Sequence, residues 1–153
     1  MVELVLNRVF AATPAAASLP AVAVRLAAGG IFIGFGLSKF THHAKEARSF
    51  ARYGLPDPDV FAYATGTLEL TLGIALVLGL VTRLTALGLA GNMIGAICTG
   101  GRVDGGFVNL VLAPILLVAM LFLVWAGAGR WSLDGRLAPR LRAAFHELGV
   151  SRR

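Results

Sequence analysis

Four stretches of the chain stay apolar for about the length a helix needs to cross a bilayer: residues 20–40, 60–80, 84–99 and 107–128. A hydrocarbon core of roughly 30 Å takes ~20 helical residues at 1.5 Å each. The second stretch fits with little surplus, and the third is short. Polar residues inside these stretches fall on helical spacing. In the first, Arg25, Gly29, Phe32, Gly36 and Lys39 are separated by four, three, four and three, which places them on one face. In the second, Ala62, Gly66, Glu69 and Gly73 share a face. In the third, Gly88, Asn92, Gly95 and Thr99 do the same. Small residues on a face let a second backbone approach closely. The pattern predicts an all-α fold, a four-helix transmembrane bundle with short interfacial amphipathic helices.

The connections carry their own signals. Residues 1–19 form an N-terminal interfacial segment: the apolar run is broken by Asn7 and Arg8, and no basic start precedes it, unlike a signal peptide. Lys45–Tyr53 predicts an amphipathic surface helix that stops at Gly54, with Pro56 and Pro58 forbidding continuation. Gly100–Gly106 predicts a flexible turn, and Pro114 a mild kink in the fourth span. Trp125 and Trp131 bracket the end of that span as an aromatic belt does. Residues 129–153 form a basic tail, in which Leu137, Leu141, Phe145 and Leu148 share one helix face.

Composition agrees with a membrane domain. Hydrophobic residues make up 57% and charged residues 14% of the 153, where a soluble domain carries about 25% charged. Mean hydropathy is +0.77. The net charge of +6 would suit nucleic acid, but the basic residues flank apolar spans and so point to the lipid bilayer and its anionic headgroups. No nucleic-acid role follows. Four spans put both termini on one side, and a thin excess of arginine there favours the cytoplasm. Cys98 is the single cysteine, which excludes an internal disulfide or a CxxC pair. Its apolar neighbours predict a small core residue. His42, His43 and Glu46 do not make a metal site, because adjacent histidines point apart and no third histidine lies nearby. The glycine turn at 100–106 lacks the lysine and hydroxyl of a phosphate loop.

The candidate chemistry centres on Glu69. A charge at mid-membrane costs roughly 2.5–3.5 kcal/mol on insertion scales, so it should face a partner or a water pocket. An antiparallel hairpin of spans one and two sets Glu69 level with Gly30–Ile31, about 8 Å along the axis from Arg25. Arg25 is therefore the expected partner, with Lys39 approaching from the other end or snorkelling to the interface. Asn92, near mid-depth of span three, can donate to the carboxylate. Arg25, Lys39, Glu69 and Asn92 are thus candidates for ligand binding or proton relay, and Thr65 and Arg83 are secondary. Two readings stay open: a buried ion pair that fixes helix register, and a polar site within the bundle that takes a quinone-like headgroup or a small anionic ligand.

Taken in order, Arg25, Gly30, Gly36 and Lys39, then Gly54-Leu55-Pro56, Glu69 with Gly73 and Gly79, and Arg83 followed by Ala86 and Met93 form a pattern that resembles the DoxX family of small four-helix membrane proteins. The resemblance covers about Arg25 to Ala96. It implies a bacterial cytoplasmic-membrane protein tied to redox assemblies whose partners handle thiosulfate, thiols, quinone or reactive oxygen. Related small four-helix proteins serve as assembly factors. The leading expectation is a membrane subunit of a redox or detoxification complex, with a protein partner or a homo-oligomeric assembly. No bound redox cofactor is encoded, so electrons would come from a partner or a diffusible quinone. A non-catalytic scaffold or chaperone subunit is the first alternative. A small-solute transporter is the second, opposed by the lack of an inverted repeat or broken helix pair.

Overall fold

A computed structural model describes residues 17–139, together with Phe10 and Pro14. Four helical stretches are long and apolar enough to span a membrane: Ser18–Thr41, Pro58–Leu78, Thr82–Val103 and Val108–Ala126. The first is α1 (Ser18–Thr41). A short surface helix, α2 (His43–Arg52), follows after one residue, and α3 (Pro58–Leu78) is the second span. The third span joins α4 (Thr82–Cys98) to a short α5 (Gly100–Val103). The fourth opens with a π-helical turn, Val108–Leu112, and continues as α6 (Ala113–Ala126). The predicted bundle is therefore present. The N-terminal segment and the outer tail fall mainly outside the described residues, although 133–139 begin a helix.

The bundle is built from two tight pairs, α1 on α3 and α4 on α6, which meet each other more loosely. Glycine explains the first pair. A Cβ placed on Gly36 would lie 2.7 Å from the Leu70 nitrogen and 2.9 Å from the Gly66 carbonyl oxygen. A Cβ on Gly73 would meet the Ile33 nitrogen at 3.0 Å and the Gly29 carbonyl at 3.2 Å. The backbones touch at both levels, a contact that only small residues permit. The second pair is a greasier seam, with Leu89, Leu116, Met120 and Leu123 in the shared core.

Two local features depart from the sequence expectation, at the glycine run and at Cys98, and a third shows how Pro114 is accommodated. The glycine run that begins at Gly100 is helical through Val103, as the end of the third span, rather than a flexible turn from residue 100. Pro114 is accommodated by the π-helical turn just before it. Proline offers no N–H to the carbonyl four residues back and its ring crowds that turn, and one wider turn relieves both. Cys98 is exposed rather than in the core, because the buried face of α4 is Thr82, Thr85, Ala86, Leu89, Ala90 and Met93. The Gly88–Gly95 stripe consequently looks away from the α4–α6 seam.

Candidate functional site

The α1–α3 pair is staggered, and the stagger decides which cation meets Glu69. A Cβ on Gly66 would lie 2.9 Å from the Lys39 Cβ and 3.3 Å from the Phe40 ring. The first two turns of α3 therefore run on beyond the end of α1. The surface helix α2 folds back to cover them: His43 stacks on Tyr63 with ring centroids 4.0 Å apart, and its Nε2 lies 2.8 Å from the Asp59 carboxylate. This overhang moves Glu69 about one helical turn along α1 relative to a symmetric hairpin.

Glu69 thus faces Lys39. The Lys39 Nζ donates to Glu69 Oε2 at 2.7 Å, and the Asn92 amide donates to Oε1 at 2.8 Å. Both oxygens of a buried carboxylate are satisfied, one by a cation and one by a neutral donor. The side chains of Lys39 and Glu69 keep 12% and 5% of their exposure. Lys39 uses one of three ammonium donors on this bond, and its Nζ also lies 5.9 Å from the centre of the Phe35 ring. Beside the cluster lies a cavity of about 520 Å³. Its polar wall includes Lys39, Glu69 and Asn92, and its apolar wall includes Phe35, Met93 and Leu116. Thr65 also lines it, though its hydroxyl is spent on the Phe61 carbonyl at 2.7 Å.

The surface helix forms part of the wall through Glu46, Phe50 and Tyr53. Its far end is tied down by Asp104, which accepts from Arg52 Nη2 at 2.7 Å and from the Tyr53 hydroxyl at 2.9 Å. The bonds from Arg52, and then from Tyr53, hold the Asp104 carboxyl below its ordinary value. Burial, and then the bond to Asp104, push the Tyr53 phenol up. Arg52-Tyr53 ahead of Gly54, and a lone acid among glycines, are the sequence traces of this clasp.

Arg25 lies elsewhere, and the expected Arg25–Glu69 pair does not form. Its Nη1 donates to the Ala128 carbonyl at 2.7 Å and its Nη2 to that of Trp131 at 3.1 Å. The guanidinium packs on Gly79, ten residues beyond Glu69 and so about 15 Å along α3. Arg25 is 2% exposed. Asp134, absent from the sequence candidates, completes this second cluster. Its carboxylate accepts from the backbone nitrogens of Val81 and Thr82 at 2.5 and 2.8 Å, and its own nitrogen donates to the Gly79 carbonyl. It caps α4 from about fifty residues away. Val81 sits at φ 46°, in the left-handed region that a β-branched residue rarely adopts. Arg83, in the first turn of α4, belongs to this end of the molecule too and not to the cavity; its Nε is buried without a hydrogen-bond partner. An acid placed just after the last span, at the head of a basic tail, was the available signal for Asp134.

A match to the DoxX family spans residues 21–102, from the first buried turn of α1 to the end of the third span. The chain belongs to the DoxX family. Among curated relatives, it is 35% identical over 136 residues to "Uncharacterized membrane protein Rv3486" of Mycobacterium tuberculosis, covering 80% of this chain and 83% of that one. It is 32% identical over 111 residues to "Putative oxidoreductase CatD" of Bacillus subtilis, covering 72% and 81%. No solved structure matches it significantly. For this DoxX protein, the family match contains all four residues of the Lys39–Glu69–Asn92 and Arg25 centres, while Asp134 falls beyond its end.

Proposed function

We propose that this DoxX protein is a membrane subunit of a redox or oxidative-stress complex and that the cavity beside Lys39, Glu69 and Asn92 receives a quinone-like headgroup. The observation that carries the reading is a cavity of about 520 Å³ in which the Lys39–Glu69–Asn92 cluster meets apolar side chains of α1, α4 and α6, with further polar groups of α2 towards the covered mouth, a mixture suited to a small-molecule site. Because Glu69 cancels the Lys39 charge at 2.7 Å, the corner offers donors without net charge. That favours a neutral acceptor such as a quinone carbonyl over a free anion. Glu69 is placed to take or return a proton as the carbonyl is reduced, with Lys39 and Asn92 holding it in position. Electrons come from a partner protein. The name of the Bacillus subtilis relative supports a redox setting. The setting proposed is the bacterial cytoplasmic membrane, with both termini inside.

The test is purification from native membrane in mild detergent, followed by lipid extraction and mass spectrometry of what stays bound. Glu69→Gln should keep folding and partner binding but lose quinone-dependent turnover of the complex. A scaffold role gives the opposite result: Glu69→Gln is silent, and loss of the basic tail releases the partner.

A further inference from the structure

The helices α3 and α4 are joined by a tight turn and diverge away from it. Near the turn they touch: a Cβ on Gly88 would lie 2.9 Å from Leu72 Cδ1. At the next level the Asn92 amide donates across the gap to Glu69. To either side of Asn92 along the helix, a Cβ on Gly91 or Gly95 would meet no atom within 4 Å, and both glycines are exposed while also bordering the cavity. Further along α3 from Glu69, Phe61 is 37% exposed and borders the same cavity. The rim outside is apolar, with Leu68 and Ile94 both exposed. Gly91 and Gly95 lie about 14 and 20 Å along the third span from Thr82, within a hydrocarbon core of roughly 30 Å. The water-facing mouth is treated differently. There α2 covers the cavity and is fastened at both ends, by His43 on Asp59 and by Arg52 and Tyr53 on Asp104.

From this wedge we infer that the cavity is reached sideways from the bilayer, through the gap between α3 and α4. The inference rests on the cavity reading above and sharpens its substrate class. The ligand is an amphiphile: its hydrogen-bond-accepting headgroup sits at Lys39 and Asn92, and its apolar tail leaves over Gly91 and Gly95 into lipid. A stripe of glycine elsewhere on the bundle brings two backbones together. Here it keeps a channel clear, since no neighbouring atom fills the space that side chains would take. The tail gains little by moving from lipid into the gap, so headgroup contacts set affinity and the gap sets access.

The experiment uses the full chain in nanodiscs and two probes, decylubiquinone and its tailless benzoquinone core, with partition into empty nanodiscs subtracted. Gly95→Phe fills the gap from an exposed helix face. It should weaken decylubiquinone binding by about tenfold or more, as expected for a tail forced into occupied space, and leave the tailless probe within about twofold. Gly91→Leu should act in the same direction, which guards against a defect peculiar to one variant. Lys39→Met should weaken both probes. If both glycine variants treat the two probes alike while Lys39→Met still lowers both, lateral access is wrong and the headgroup site stands. If the wild-type protein binds neither probe, the cavity reading and this inference fall together. A photoreactive diazirine on the decyl tail should label α4 between residues 91 and 98, and labelling confined to α2 would also overturn the proposal.

Discussion

The Lys39–Glu69 contact makes a quantitative claim. Removing one member of a well-buried pair leaves an uncompensated charge, at a cost of about 3–5 kcal/mol. The two side chains are 12% and 5% exposed, so solvent screens little of this, and Lys39→Met alone should fall near that range. Glu69→Gln keeps the bond to Asn92 but strands the ammonium, and should cost somewhat less because lysine can snorkel. Changing both together removes both charges and should be close to neutral, because a buried pair replaced as a whole often loses nothing. The coupling term is then several kcal/mol, well above the 0.3–0.5 kcal/mol scatter seen for independent sites about 7–10 Å apart or more. Arg25→Met with Glu69→Gln is the control. The Arg25 head lies about 15 Å along α3 from Glu69, so those two effects should add. Equilibrium unfolding in mixed micelles, titrated with denaturing detergent, measures all six proteins on one scale. Additive losses for Lys39 and Glu69, or strong coupling between Arg25 and Glu69, would refute the assignment of the pair.

Three further outcomes follow from the packing and the clasp. Gly36→Ala should destabilise the same detergent unfolding by about 1–3 kcal/mol, the range for overpacking, since its Cβ meets backbone on α3 at 2.7 Å. Gly30→Ala, with nothing within 4 Å, should be neutral or gain up to about 1 kcal/mol; equal effects would show that the α1–α3 contact is looser than described. The α2 clasp has a pH window. Asp104 is depressed in the folded protein, so its contribution is present above the ordinary value near 4 and is lost as pH falls through the lower folded value. Tyr53 is raised, so its contribution holds below about 10 and is lost as pH rises through the higher folded value. Protease nicking near Gly54 should increase at both extremes, and Asp104→Asn should abolish the acid limb. Asp134→Ala should cost about 1–3 kcal/mol through the two backbone donors it leaves unpaired, read as faster amide exchange at Val81 and Thr82.

Hydropathy and spacing alone located the helices and the inward faces of α1 and α3, but not that of α4, whose buried side is Thr82, Thr85, Ala86, Leu89, Ala90 and Met93. A period of 3.6 residues with small or polar positions recurring at threes and fours is a local property, so Arg25, Gly29, Phe32 and Gly36 on α1, and Gly66, Glu69 and Gly73 on α3, were identifiable as buried faces before any coordinates. Register was not a local property. Two helices of similar length in a hairpin suggest matched ends, and that assumption paired Glu69 with Arg25. The actual stagger arises because α2 folds back over the first turns of α3, which sequence spacing does not encode, and one turn of slip exchanged an arginine for Lys39. Pairing across long separations was equally out of reach: Asp134 meets Val81 and Thr82, and Asp104 meets Arg52 and Tyr53, only once the chain has closed on itself. Residue chemistry and periodicity named the groups that had to be satisfied in a dry interior. Tertiary packing chose their partners, because a partner is set by depth and distance in three dimensions.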